Sequence, residues 1–211
     1  MARPQTDIEA GRDNLVELAI AMVEERGNGG MTMTELAARA GMSPANLYRY
    51  FDSKDALIEA VAEYWFRPKV EIMEAVVASD LAPRRKMYEF FARRFSLMKS
   101  EWERDPVAFS TYVELGKENF EQVRSYVDLG DHYLSLIIGE AMADGHFDGL
   151  SIDETLSLIN QMVNLYVNIG AMEHVMPRLS TDKLAQIIDA VFDGLSAVDR
   201  GAKAVTGLRA A

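Results

Sequence analysis

MTMTELAARAGMSPANLYRYFDSK, residues Met31 to Lys54, has the spacing of two short helices joined by a tight turn. Thr32 offers an N-cap hydroxyl and Glu35 follows three residues on, a capping box that satisfies orphan amides at the start of a helix. Met33, Leu36, Ala37 and Ala40 then face inward. Gly41 falls where a turn between helices needs a left-handed backbone, which glycine adopts without steric cost. Met42 can plug that turn into the core. Ser43 and Pro44 restart the chain as N-cap and first helical residue, because the fixed φ of proline suits that position and its missing amide is not needed there. The new helix is expected to run from Pro44 to about Tyr50, burying Leu47 and Phe51. That leaves Ala45, Asn46, Tyr48, Arg49 and Tyr50 on other faces. Asp52 and Ser53 cap the next helix, with Lys54 at its mouth.

Such a helix–turn–helix lays its second helix in the major groove of duplex DNA while the first spans the backbone. The side chains suit the task. Ala45 is small enough for close approach, Asn46 can make paired hydrogen bonds to a base edge, and Thr32, Thr34, Tyr48, Tyr50 and Lys54 are donors of the kind that hold phosphates.

The run TELAARAGMSPANLYRYFDSKDALIEAV, from Thr34 to Val61, resembles the DNA-binding segment of the tetracycline-repressor (TetR) family of transcription regulators. Starting at Thr32, the chain carries every fixed element of the pattern T-x-x-x-[IL]-A-x-x-[AL]-G-[VM]-S-x-x-x-[LI]-Y-x-[YH]-F-x-[SN]-K-x-x-L. The resemblance implies that Thr32 and Thr34 contact the DNA backbone, that Pro44, Ala45 and Asn46 face the bases, and that Tyr48, Tyr50 and Lys54 clamp phosphates. Arg49 stands at a variable position, reaching either base or phosphate. Pro44 departs from the family pattern, since many relatives carry a polar or charged side chain there. The resemblance further implies an all-α fold, a homodimer on a near-palindromic operator, and a small-molecule effector whose binding releases repression.

Outward from the motif, residues from about Thr6 to Arg26 keep the three-and-four spacing of an amphipathic helix, and Gly27, Asn28, Gly29 and Gly30 are expected to stop it. Residues 1–53 thus read as a three-helix DNA-binding domain and residues 54–199 as a helical effector-binding and dimerisation domain. Pro68 is expected to kink or end the helix begun at Ser53. Later helices are expected from Pro83, Pro106 and Asn119, the last closed by the DGHFDG turn. Ser151 and Glu154 form a second capping box, opening a helix to about His174 with apolar residues on more than one face. A last helix opens at Ser180 or Thr181. These two long helices carry surplus apolar surface, which suggests a four-helix interface with a second copy. Residues 200–211 read as a mobile tail.

On the Ser151–His174 segment, Ser157, Asn160, Asn164 and Asn168 would share one stripe. It faces solvent or the twin subunit, or it lines an effector pocket together with Met162, Tyr166 and aromatics such as Phe91, Phe95, Phe109, Tyr112, Tyr126 and Tyr133. The effector would be hydrophobic.

Composition bounds the alternatives. The chain of 211 residues has no cysteine, three histidines, and neither a glycine-rich phosphate loop nor a nucleophile elbow. Asp131–His132 resembles the metal dyad of helical phosphohydrolases without the further histidines that site needs. Neither catalysis nor a cofactor or metal is expected. No stretch reaches the roughly 18 apolar residues of a membrane span, and the N-terminus lacks the apolar run of a signal peptide, pointing to the cytoplasm. The formal net charge of −11 opposes a polyanionic partner, and residues 1–67 alone hold seven basic against eleven acidic side chains. Docking needs only a local face of donors, so DNA binding stands. The charge keeps open a second reading, a helical small-molecule-binding protein with lost or weak DNA binding.

Overall fold

The computed structural model describes residues 5–26 and 31–196; the glycine run expected to stop the first helix, and the tail, lie outside the described residues. All regular structure among the described residues is helical: α1 Gln5–Arg26, α2 Met33–Arg39, α3 Pro44–Leu47, α4 Lys54–Val77, α5 Pro83–Arg104, α6 Pro106–Glu118, α7 Phe120–Ala143, α8 Ile152–Met162, α9 Asn164–Val167, α10 Ile169–Val175, a 3₁₀ turn Met176–Arg178, and α11 Thr181–Gly194. The architecture is an N-terminal helix–turn–helix followed by a helical body. No helix among the described residues is long and apolar enough to cross a membrane.

Two separate cores hold it. The first gathers Leu15, Ala19 and Met22 from α1, Leu36 and Ala37 from α2, Leu47 and Phe51 around α3, and Leu57 and Val61 from α4. Fully burying a side chain such as Leu47 or Phe51 contributes about 1.5–3 kcal/mol. The second unites α4, α5, α7, α8 and α11 around Phe90, Phe91, Phe95, Leu134, Ile137, Ile159 and Ile188. α4 belongs to both, and at 1.5 Å per residue its 24 residues reach about 36 Å. It is therefore the strut between the two cores.

Pro68 does not end this helix: α4 runs on to Val77. Proline removes one helical hydrogen bond, and here Pro68 and Tyr64, whose carbonyl loses its partner, are both exposed, so water can satisfy what the ring leaves unpaired. The opposite face, with Val61, Lys69, Met73 and Val76, is buried and keeps the helix in place. The expected single helix to His174 is instead three pieces, interrupted at Val163 and Asn168. Asn168 leaves helical geometry at ψ 98° and its side-chain oxygen accepts from the Ala171 amide, capping α10. Asparagine competes with the helical backbone in this way, and its local bond wins here.

Two buried lysines tie the body together. Lys69 Nζ donates to both Glu101 carboxylate oxygens at 2.9 and 3.0 Å and to the Trp65 carbonyl at 3.0 Å. Lys86 Nζ donates likewise to Glu140 at 2.8 and 2.9 Å and to the Val77 carbonyl at 3.0 Å. In the DGHFDG turn the backbone of Phe147 is left-handed, at φ 61°, and its ring is buried against Phe192.

Candidate functional site

The DNA-binding candidates are built by local caps. Thr32 Oγ1 accepts from the Glu35 amide while the Thr32 amide donates to Glu35 Oε2, the capping box in full. The Thr32 hydroxyl also donates to Glu35 Oε2 at 2.8 Å, so a phosphate at this hydroxyl has to displace that bond. Gly41 is left-handed at φ 66°. Ser43 Oγ accepts from the Asn46 amide and Ser53 Oγ from the Ala56 amide, which starts α3 and α4. Regular helix ends at Leu47 rather than Tyr50: Arg49 and Tyr50 donate to carbonyls three residues back, tightening the last turn into 3₁₀ geometry.

With Leu47 and Phe51 buried, Thr32, Thr34, Pro44, Ala45, Tyr48, Arg49 and Lys54 are exposed, and Asn46 and Tyr50 are half-buried. Among the described residues the one hydrogen-bond partner of Asn46 Nδ2 is the Met42 sulfur, at 3.9 Å, a weak contact that leaves its amide edge available. Tyr50 lies across α1, where a Cβ added at Gly11 would stand 2.8 Å from its ring. Arg12 lies over the Phe51 ring at 4.8 Å, and Arg39 is paired with Glu25, so both are engaged within the unit.

In the body a cavity of about 530 Å³ opens between α4, α5, α6, α7 and the α8–α10 segment. Of the expected lining residues, Phe91, Tyr112, Tyr126, Asn164 and Tyr166 face it. Phe95 and Phe109 are instead fully packed in the core, where Phe95 meets Tyr166 edge to face. Tyr133 is turned away and donates to Glu74 at 2.9 Å. Met162 is 43% exposed on the outside of α8. Of the expected polar stripe, Asn160, Asn164 and Asn168 line the cavity despite the break in their helix, and Ser157 is exposed and does not.

The sequence reading missed Trp65, Phe66, Lys69, Arg94, Phe120 and Asp131 as lining residues. For the charged members a signal was present: Lys69 follows Trp65 by four residues, and Arg94 stands four from both Phe90 and Met98, which puts a cation on each helix's apolar stripe. Phe66 stacks on Tyr126 at 4.6 Å and Trp65 on Tyr112 at 6.0 Å. Burial pushes Lys69 below the usual lysine range, against the opposing pull of Glu101. It pushes the Arg94 guanidinium down to about 10, with Asp131 the opposing charge.

Tyr112 joins this cavity to the DNA-binding unit. Its hydroxyl donates to Glu24 of α1 at 3.0 Å, and burial first, then Glu24, pushes its ionisation up. One turn later on α6, Leu115 both lines the cavity and packs on the first core.

A capped helix–turn–helix mounted on a hollow helical body defines a DNA-binding transcriptional regulator. Residues 15–61 match the family model for bacterial regulatory proteins of the tetR family, and residues 83–188, half of the chain, match that for the tetracyclin repressor-like C-terminal domain. The chain belongs to the TetR family. It is 32% identical over 85 residues to the HTH-type transcriptional regulator BetI of Brucella anthropi, a match spanning 40% of this chain and 44% of that relative, less than half its length. Among solved structures, it is similar to the fatty acid degradation regulator FadR from Bacillus halodurans, with TM-score 0.64 and 14% identity over 92% of this chain and 98% of that one. It is also similar to FadR from Bacillus subtilis, solved in complex with stearoyl-CoA, with TM-score 0.64 and 14% identity over 86% of this chain and 97% of that one. At those identities the likeness is one of fold.

Proposed function

We propose that the protein is a homodimeric repressor that reads a near-palindromic operator through residues 1–53 and is released when a small hydrophobic effector enters the cavity of residues 54–199. The observation that carries this reading is that Tyr112 and Leu115, two residues of one helix, wall the cavity and touch the DNA-binding unit. An effector acts only through its differential affinity for two states, and α6 is placed to feel both the ligand and the angle of α1. That a protein of the same fold, the Bacillus subtilis FadR, is solved with stearoyl-CoA supports an apolar occupant. No catalytic role is assigned.

On the DNA side, Thr32, Thr34, Tyr48, Tyr50 and Lys54 hold phosphates, Ala45 and Asn46 face bases beside Pro44, and Arg49 extends the same surface. Replacing Tyr48 or Lys54 with alanine is expected to weaken binding to every duplex. Loss of the Lys54 charge should also lower the salt slope by about one for each phosphate it neutralises. Asn46→Ala is expected to relax the choice of base instead, at a cost of about 1–3 kcal/mol on the preferred site. Fluorescence anisotropy with fragments of the protein's own promoter region separates the two patterns. An unaltered preferred site in Asn46→Ala rejects Asn46 as the reading residue. Failure of the wild type to bind any such fragment at low salt favours the second reading, a small-molecule-binding protein with weak DNA binding.

The coupling has its own test. Tyr112→Phe removes only the hydroxyl, and a hydrogen bond of this kind contributes about 1 kcal/mol. The variant is expected to bind promoter DNA as the wild type does, while the ligand-induced change in that affinity shrinks by about fivefold. An undiminished ligand response places the coupling elsewhere.

A further inference from the structure

Arg94 carries the cavity's unused hydrogen-bonding capacity. A guanidinium has five N–H donors. Nε donates to the Phe90 carbonyl at 2.9 Å, Nη1 meets only the Met73 sulfur at 3.3 Å, and Nη2 has no partner among the described residues. Among those residues no fully buried side-chain nitrogen or oxygen lacks a hydrogen bond, so Nη2 opens onto free space, and the space Arg94 lines is the cavity. No described carboxylate forms an ion pair with Arg94. Asp131, also on the wall, is the opposing charge it feels and is engaged by Asn160, whose Nδ2 donates to Oδ1 at 2.9 Å. A Cβ at Gly130 would stand 3.7 Å from Nη1, which sets the guanidinium against α7 beside Asp131. The other lining cations differ: Lys69 commits its three donors to Glu101 and the Trp65 carbonyl, and Lys117 is exposed. Away from this polar cluster the walls are Phe66, Val70, Met98, Phe120, Val123 and Tyr126.

We propose that the effector is an amphipathic carboxylate whose head accepts a forked pair of hydrogen bonds from Arg94 and whose hydrocarbon lies among the aromatic walls. This rests on the reading of the cavity as the effector site. A planar fork matches a carboxylate in geometry as well as charge, and the surrounding low dielectric strengthens the pair. It also gives a cation that has only the Asp131 charge nearby and the Phe90 ring beneath it, with no ion pair among the described residues, a directly bonded counter-ion.

The test uses the full chain titrated with decanoate and with decan-1-ol, which share a hydrocarbon tail and differ at the head. Trp65 lines the cavity, and its fluorescence reports entry. Decanoate is expected to bind at least about tenfold tighter than the alcohol. Arg94→Met is expected to erase that preference, leave the alcohol within about twofold of wild type and keep or raise the melting temperature, because burial opposes the charge. A merely structural arginine would instead lower the melting temperature and weaken both ligands. Arg94→Lys, which keeps the charge without the fork, is expected to retain part of the preference. Asp131→Asn removes the acid that repels the head and is expected to tighten decanoate alone by about threefold. Equal affinity for acid and alcohol in the wild type, or an equal loss of both in Arg94→Met, overturns the carboxylate proposal and leaves the cavity as an effector site. Entry of neither probe overturns both readings.

Discussion

Glu101→Ala is expected to destabilise the protein by about 3–5 kcal/mol, because it leaves the Lys69 ammonium charged, buried and without its counter-ion. In a chain of this size that corresponds to a fall in melting temperature of about 10 °C. Among the described residues Lys69 has no other carboxylate in an ion pair: its three protons are committed to the two Glu101 oxygens and the Trp65 carbonyl, and its Nζ stands 3.7 Å from the centroid of the Trp65 ring. The lysine side chain is 5% exposed and that of Glu101 19%, so solvent screens the pair poorly. Replacing both, as Lys69→Met with Glu101→Leu, is expected to restore most of the loss, since the desolvation cost vanishes with the charges. The pH dependence follows from the direction of the shift. Burial holds the folded pKa of Lys69 below its ordinary 10.5, so between the two values the unfolded chain binds the extra proton and stability rises with pH. Glu101 opposes that shift, hence its removal lowers the folded pKa further and widens the window downward. Urea midpoints measured from neutral pH to pH 10 should climb more steeply in Glu101→Ala than in the wild type. A variant within about 1 kcal/mol of wild type would mean that water reaches Lys69.

What was legible in the sequence is what short-range bonding decides. Thr32 with Glu35, Ser43, Ser53, Asp105, Ser151 with Glu154, and Ser180 each accept a backbone amide two or three residues on, so residue type and spacing alone place these helix starts. Gly41 is legible for the same reason, as one residue in one backbone region. The exposure of the candidate DNA-binding residues shares this clarity in part, because burying Leu47 and Phe51 leaves Tyr48 and Arg49 outside, while Tyr50 is half-buried against α1.

The cavity obeys a different rule. Its walls come from α4, α5, α6, α7 and the α8–α10 segment, so whether a given aromatic lines it depends on the rotation of helices far apart in the chain. Phe91 and Phe95 stand one turn apart on α5, yet Phe91 borders the space and Phe95 is sealed against Tyr166. No periodicity separates the two. Pro68 and Asn168 show the competition from both sides. At Pro68 packing on the opposite face overrides a helix breaker, and at Asn168 a side-chain cap breaks a helix that its apolar spacing would continue.

Placing acids on the outer ridge of α8 and α9, as Met162→Asp with Leu165→Asp, is expected to split the proposed homodimer and weaken operator binding by about 100- to 10,000-fold. Leu158, Met162 and Leu165 recur at spacings of four and three and are 38%, 43% and 46% exposed, and Ile152, 41% exposed, begins the same segment. An apolar row of that kind is costly to leave in water and has the character of an interface core. Of the two long helices expected to carry surplus apolar surface, α11 turns Leu184, Ile188 and Val191 into the body and exposes Asp182, Gln186, Asp189 and Asp193, two of them paired with Arg84. In the proposed dimer its share would be a polar rim, with α8 and α9 supplying the apolar centre. The affinity loss follows from linkage of two weak half-site contacts: once one unit is bound, the second binds at high effective concentration, and a monomer forfeits that gain. With half as many phosphates neutralised, the slope of affinity against salt should also fall by about half. The substituted side chains are already exposed, so the fold should survive, with its circular dichroism and decanoate affinity unchanged. Analytical ultracentrifugation reads the assembly directly. A double variant that stays dimeric would move the interface off this ridge, and a monomer that still binds the operator at wild-type affinity would remove the palindrome from the mechanism.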